Sequence, residues 1–119
     1  MSRKSRGCEY ERKLVHLLQS KGFSSVRVAG SGCMRYPSPD ILASNNSRII
    51  AFEVKSSQQD CVYIRKGVLD KLLLFSKSFG AEPWFAIHLV NKGWFFKCAT
   101  ELMELKFDEN NTIDSFDTP

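Results

Sequence analysis

The feature that most constrains the fold is the stretch PDILASNNSRIIAFEVKSS at residues 39–57. Two short apolar segments flank the polar sequence SNNS, whose residues favour tight turns. The second segment is rich in β-branched and aromatic residues, and in a strand its side chains alternate between two faces. We therefore predict an antiparallel β-hairpin with its turn at residues 44–47.

The predicted hairpin carries three charged side chains that its stability does not require. In the second strand Glu53 and Lys55 lie on the face opposite the apolar set that includes Ile50 and Phe52. That set fixes the register, because a slip of one residue would bury the charged groups instead. Pairing through the turn then places Asp40, at the start of the first strand, opposite residues 51–53. The hairpin thus predicts that Asp40 and Glu53 meet.

Two neighbouring carboxylates repel each other unless a cation lies between them, and oxygen ligands select a hard ion such as Mg²⁺ or Mn²⁺. Such an ion beside a lysine is suited to phosphodiester hydrolysis. The triplet E-x-K alone carries little weight, since it also occurs at residues 11–13 and 104–106. The alternative is an exposed ion pair worth less than about 1 kcal/mol.

The rest of the chain predicts a single α/β domain with a central mixed sheet of five strands flanked by helices. Apolar residues recur at helical spacing in two segments, each followed by a glycine. The predicted stripes are Tyr10, Leu14, Leu17 and Leu18 in the first helix and Val68, Leu72, Phe75 and Phe79 in the second. The predicted strands outside the hairpin are residues 23–29, 84–90 and 94–98. We expect a nuclease domain over residues 1–100, and an acidic tail over 101–119 that belongs to it or is loosely ordered from about Phe107.

Charge is unevenly distributed along the chain. Residues 1–100 hold sixteen basic and seven acidic side chains, whereas residues 101–119 hold one basic and six acidic ones. The basic excess favours a polyanionic partner, although a solvated N-terminal arm is an equal alternative on charge alone. No apolar run approaches the roughly 20 residues that a membrane helix needs. We therefore expect a cytoplasmic protein.

The order of several blocks resembles the PD-(D/E)xK nuclease superfamily and, more narrowly, the archaeal-type Holliday junction resolvases. The blocks are GCEYERKL, VRVAGSG, PDILA, AFEVKSS, VYIR, LLLFSKSFG and GWFFK. They span residues 7–98 in that order. The resemblance implies a restriction-endonuclease-like core and a magnesium-dependent homodimeric endonuclease that cuts four-way DNA junctions. It also implies action at the nucleoid without a small-molecule cofactor, with Mn²⁺ as a possible substitute for Mg²⁺.

The resemblance also implies roles for individual residues. Asp40 and Glu53 would be metal ligands and Lys55 the catalytic lysine, with Glu11 as a further acid and Ser31 as the serine of a loop after the first strand. The helix pattern favours Glu11 over Glu9, because Glu11 flanks the predicted buried face. Candidate DNA contacts are Arg3, Lys4, Arg6, Arg12, Arg27 and Arg35. Candidate dimer contacts are Phe75 and Phe79, although aromatic residues at helical spacing are more often core.

Two other functions fit the same sequence. One is a nuclease of the same superfamily that acts on linear, damaged or foreign DNA, because the hairpin site alone does not define the substrate. The other is a basic DNA-binding scaffold that has kept the fold without catalysis. The four residues Glu11, Asp40, Glu53 and Lys55 argue against a scaffold, because acids facing phosphates weaken binding.

Overall fold

The structure, a computed structural model, describes residues 3–28 and 36–116, with side chains described from residue 8 onward. The described part contains two helices and seven strands. In chain order they are α1 Arg3–Ser20, β1 Ser24–Arg27, β2 Ile41–Ser44, β3 Ile49–Ser57, β4 Cys61–Tyr63, α2 Lys66–Phe79, β5 Glu82–Leu89, β6 Gly93–Cys98 and β7 Lys106–Asp108. No helix in the described ranges is long and apolar enough to cross a membrane.

The main sheet has five strands in the order β1-β2-β3-β5-β6, which confirms the predicted mixed five-stranded sheet. β3 and β5 run parallel, and the other neighbouring strands are antiparallel. β4 and β7 form a separate two-stranded sheet. A parallel pair requires a crossover connection, and α2 together with the small β4 strand supplies it between β3 and β5.

Each face of the sheet is covered by one helix. Leu14 and Leu18 of α1 pack with Ile50 and Phe52 in one buried cluster. Leu69 and Leu72 of α2 belong to a second cluster that contains Ala51, Phe85 and Ile87. β3 is therefore covered on both sides over residues 50–52, and its charged residues come only where this apolar run ends.

The predicted β2–β3 hairpin is present, but its turn lies at residues 45–48, one residue later than the predicted 44–47, because Ser44 still pairs with Ile49. The side chain of Asn45 accepts hydrogen bonds from the backbone N–H groups of Ser47 and Arg48, at 2.9 and 2.7 Å, and Asn46 adopts a positive φ of 74°. These are the interactions for which asparagine is favoured in tight turns. Ile41 pairs with Phe52, so the residue before Ile41 lies opposite Glu53.

The expectation of a loosely ordered end after Phe107 is wrong for residues 107–116. Phe107 and Phe116 are fully buried, and Ile113 forms a β-bridge with Phe96. Arg48 donates a hydrogen bond of 2.7 Å to the carbonyl oxygen of Phe116. We infer that this segment belongs to the same domain as the main sheet, because Phe116 and Phe107 belong to its two buried clusters.

Two helix predictions also need correction. α1 begins at Arg3 rather than at Cys8, so the basic N-terminal residues lie in a helix rather than in an arm. In α2 the predicted stripe is only partly right: Leu72 is buried, and Val68 and Phe75 are half-buried against the core. Leu69 and Ser76 are buried as well, although the stripe did not include them. Phe79 is left 51% exposed and stacks on Phe75 with ring centroids 5.0 Å apart.

Candidate active site

Asp40 is held between two strands immediately before β2. Its backbone N–H donates to the carbonyl of Phe52 at 3.0 Å, and its carbonyl accepts from the N–H of Val28 at 2.9 Å. Its carboxylate oxygen Oδ2 accepts a hydrogen bond of 2.8 Å from the N–H of Val54. These three bonds fix both the position of Asp40 and the direction of its side chain beside β3.

Glu53 lies directly across the hairpin from Asp40, as predicted. Its side chain is only 16% exposed, and its Oε1 lies 3.6 Å from the Nζ of Lys55. Burial, followed by the neighbouring Asp40 carboxylate, raises the pKa of Glu53 from its ordinary value of 4.5 to about 8, although Lys55 opposes the shift. The Glu53 carboxyl therefore retains its proton at neutral pH when no further cation is present.

Glu11 approaches the same place from α1. Burial is the main cause of its raised pKa, and the charge of Asp40 is the next. Its Oε1 accepts a hydrogen bond of 3.2 Å from the Nε of Arg27, which lowers the pKa in part. Glu9, which the sequence analysis rejected, instead pairs with Lys13 at 3.3 Å and is 42% exposed. The structure therefore brings Glu11, and not Glu9, into electrostatic contact with Asp40.

The oxygen donors of this site fit a hard divalent cation. The Asp40 carboxylate is close enough to Glu53 to disfavour ionisation of the Glu53 carboxyl, and a cation between the two groups would relieve that repulsion. Within the described ranges, however, no three His, Cys, Asp or Glu side chains form a group that could hold a metal ion. The part of the site that is already assembled is thus the Asp40–Glu53 pair, while the Glu11 carboxylate is engaged by Arg27.

The remaining predicted residues have varied positions. Arg12 is exposed on α1, and Arg27 lies at the end of β1 with its side chain 32% exposed. Ser31 and Arg35 lie outside the described residues. The backbones of Arg3, Lys4 and Arg6 belong to α1, but their side chains also lie outside the described part. Phe75 and Phe79 are on α2, which covers the face of the sheet opposite α1.

Sequence reasoning assigned no role to an aromatic contact beside the site. The ring of His88, on β5, lies 4.5 Å from that of Tyr10 and 5.0 Å from that of Trp94. Burial lowers the pKa of His88, with a smaller contribution from Lys13. This contact attaches the turn of α1 that carries Glu11 to the sheet. The only feature of the sequence that could have predicted this contact was the position of Tyr10 on the apolar stripe of the first helix.

Comparisons with known proteins agree with this geometry. The sequence profile described as archaeal Holliday junction resolvase (Hjc) matches residues 2–117. The crossover junction endodeoxyribonuclease Hjc of Archaeoglobus fulgidus is 40% identical over 93 residues, which are 78% of this chain and 68% of that protein. The Hjc of Sulfolobus acidocaldarius is 34% identical over 111 residues, covering 92% and 71% of the two chains.

A solved structure is similar as well. The crystal structure of Archaeoglobus fulgidus Hjc, described as a Holliday junction resolvase, superposes with a TM-score of 0.82 at 34% sequence identity. The superposition covers 88% of this chain and 91% of that one. Sequence and fold thus point to the same family.

Proposed function

The chain belongs to the archaeal Holliday junction resolvase family, and we propose that it resolves four-way DNA junctions by paired hydrolysis of phosphodiester bonds. Relatives that match most of its length are named crossover junction endodeoxyribonucleases, and the chain is an endonuclease of this family. The observation that carries the assignment to particular residues is the Asp40–Glu53 pair beside Lys55. We further propose that it acts in the cytoplasm, at the nucleoid, where its substrate lies.

Divalent-metal dependence is general in this nuclease family, and we assign the ion as Mg²⁺, with Mn²⁺ as a substitute. Asp40 and Glu53 would hold it, with Glu11 as the third carboxylate, because these residues offer only hard oxygen donors. When bound, the ion would polarise a phosphate oxygen and lower the pKa of the attacking water. No small-molecule cofactor is needed for this chemistry.

The protein's own residues supply position and charge. The N–H of Val54 fixes the Asp40 carboxylate, so this group is aligned before substrate arrives. Lys55, 38% exposed and next to Glu53, presents its ammonium to the negative charge that develops on the phosphate. Ser31 is assigned to the same catalytic group on the basis of the family resemblance.

Basic residues near the site would bind the DNA backbone. We assign this role to Arg12 and Arg27, whose positions on α1 and β1 flank the acidic residues. The same role is proposed for Arg3, Lys4, Arg6 and Arg35. Contacts of this kind read backbone position rather than base sequence, so we expect junction affinity to fall steeply as salt rises.

We expect Lys55→Ala to reduce the rate of junction cleavage by at least about a hundredfold, because it removes a positive charge that acts on the developing negative charge. Junction affinity should change little, since many other phosphate contacts remain. The measurement compares single-turnover cleavage and equilibrium binding of a labelled four-way junction in Mg²⁺. Lys71→Ala, which removes an exposed lysine of α2, is the matched control and should behave as the native chain does.

The same assay separates the competing functions. A linear duplex of equal length is included beside the junction. Equal cleavage of both DNAs would indicate a nuclease of broader substrate range, and binding without cleavage at every metal and pH tested would indicate a scaffold. Loss of junction binding in Lys55→Ala would mean that Lys55 serves in binding rather than in catalysis.

We propose that the active form is a homodimer, because a two-fold symmetric pair of sites matches the symmetry of a four-way junction. An exposed apolar patch of Val26, Ile49 and Phe79, which are 60%, 41% and 51% exposed, supports a contact surface here. Phe79 also lines a groove of about 370 Å³ together with Val26 and Ile49. Exposed apolar patches of this kind mark association surfaces.

Phe79→Asp should therefore convert the dimer to a monomer, with at least about a tenfold weaker association, because a charge would be buried without a partner. Sedimentation velocity over a range of protein concentrations provides the measurement. Leu102→Asp places the same charge on a residue that is 96% exposed and should leave the dimer intact. An unchanged sedimentation coefficient for Phe79→Asp would exclude this surface as the interface.

A further inference from the structure

One ion pair joins a proposed metal ligand to a proposed DNA contact. The Nε of Arg27 lies 3.2 Å from Oε1 of Glu11, and the two side chains are 32% and 20% exposed. The proposed function gives each partner a different task, Glu11 toward the divalent ion and Arg27 toward a phosphate. In the structure each side chain is engaged by the other.

The backbone places this ion pair at the acidic site. Arg27 pairs with Ile41 across β1 and β2, and the next residue, Val28, donates its N–H to the carbonyl of Asp40. The Arg27 guanidinium is thus a positive charge beside the carboxylates, and a like charge disfavours the binding of a cation there. It also engages the carboxylate that would complete the ligand set, and the described residues contain no ready group of three ligands.

We propose that Arg27 is an exchangeable counter-charge that couples metal binding to DNA binding. Without DNA it pairs with Glu11. When the junction binds, a backbone phosphate takes the guanidinium, and the released Glu11 carboxylate joins Asp40 and Glu53 around the divalent ion. The acidic site is then completed only on substrate, which restricts hydrolysis to bound DNA. This inference rests on the proposed function and adds a means of regulation to it.

The proposal has a consequence in equilibrium binding. If DNA raises the affinity for the divalent ion, then the ion raises the affinity for DNA by the same factor. A factor of about ten lies within the usual range for coupled sites. If Arg27 served only to hold DNA, replacing it would not alter the affinity for the divalent ion in the absence of DNA.

The test measures Mn²⁺ binding from the electron paramagnetic resonance signal of the free ion. Without DNA, Arg27→Gln should bind Mn²⁺ about tenfold more tightly than the native chain, because the competing charge is gone. Lys77→Gln, which removes an exposed lysine from the last turn of α2, is the charge-matched control and should match the native chain. Arg27→Lys keeps the charge and should stay near the native affinity.

The second arm repeats the Mn²⁺ titration in the presence of an unlabelled four-way junction. All chains carry Lys55→Ala, which prevents cleavage, and the Mn²⁺ bound by the DNA alone is subtracted. The junction should tighten Mn²⁺ binding about tenfold when Arg27 is present and less than about twofold in Arg27→Gln. Glu11→Gln removes the other partner and should abolish the coupling as well. This variant keeps the test valid if Arg27→Gln fails to fold, which thermal unfolding would reveal.

Equal or weaker Mn²⁺ binding by Arg27→Gln without DNA would overturn the proposal, and so would coupling that survives Glu11→Gln. In either case a native chain that still cuts junctions would leave the proposed function standing. A native chain that takes up no Mn²⁺, with or without the junction, would instead contradict the metal site itself.

Discussion

Glu53→Gln should make the metal-free protein more stable at pH 8 while reducing its cleavage of four-way junctions by about a thousandfold or more. The activity falls because a ligand of the divalent ion is lost, and that ion supplies several kcal/mol of stabilisation to the transition state. The stability rises because the buried Glu53 carboxyl opposes ionisation in the folded state. The two effects have opposite signs, so general damage to the fold cannot produce both.

The sign of the pH dependence follows from the raised pKa of Glu53, about 8 in the folded chain against an ordinary value of 4.5. Below pH 4.5 both folded and unfolded states carry the proton. Between pH 4.5 and 8 the unfolded chain releases it and the folded chain retains it, so the free energy of unfolding falls with rising pH. The total loss from this group is roughly 5 kcal/mol, and it accumulates between pH 4.5 and 8 and is complete above pH 8.

Thermal unfolding in EDTA at pH 5 and pH 8 measures this effect. At pH 8 the Tm of the native chain should be at least about 5 °C lower than that of Glu53→Gln, and at pH 5 the difference should be much smaller. Added Mg²⁺ should raise the Tm of the native chain and not that of the variant, because only the native site binds the ion. A variant less stable than the native chain at pH 8 in EDTA would contradict the assigned environment of Glu53.

Glu82→Gln is a matched control on the neighbouring strand β5. Hydrogen bonds from Arg48 at 2.8 Å lower the pKa of Glu82, so the sign is reversed. Its contribution to stability is present above its ordinary pKa and is lost as the pH falls through the lowered value. The substitution should therefore destabilise the protein at both pH 5 and pH 8, and leave the metal response intact.

Phe116→Ala should lower the free energy of unfolding by about 3 to 5 kcal/mol, a large share of the total for a small domain. The Phe116 side chain is 1% exposed, and its ring centroid lies 5.3 Å from that of Phe52 and 4.7 Å from that of Phe96. Phe52 directly precedes Glu53 in β3, so a cavity here also loosens the strand that carries the site. Chemical denaturation with a fixed slope m is the measurement.

Leu102→Ala is the control for this substitution, because Leu102 is 96% exposed and its truncation should cost less than about 0.5 kcal/mol. A loss of only that size in Phe116→Ala would mean that residues 106–116 do not pack into the core in solution. The segment would then be the loosely ordered end that its composition suggested.

The reason the sequence misled at this end is physical. Phe116 stands alone among polar and acidic residues, so no local pattern identifies it as core. Phe107 ends a short apolar alternation with Met103 and Leu105, which the prediction of a loose tail did not use. The burial of Phe116 depends on Phe52 and Phe96, which are distant in the chain. That of Phe107 depends on Phe85, which is also distant. The buried face of α2 was only partly predicted, because residues 72–75 are all apolar and their spacing alone does not select one side of the helix.

The hairpin was predictable because its information is local. Asn45 and Asn46 set the turn, the apolar run at residues 50–52 sets the register, and together they place Asp40 opposite Glu53. The position of Glu11 required one more step, the orientation of α1, which its apolar stripe supplies. Its ion pair with Arg27 joins residues sixteen positions apart and depends on how β1 packs, so no spacing rule predicts it.

The most direct test of the central claim is strand scission of a labelled four-way junction by the native chain in Mg²⁺ and in EDTA. The acidic site described here predicts paired nicks at symmetric positions in Mg²⁺, none in EDTA, and none with Glu53→Gln in either solution. Cleavage by the native chain in EDTA would contradict the claim that Asp40 and Glu53 hold the ion on which hydrolysis depends. Cleavage by Glu53→Gln at the native rate would contradict it as well.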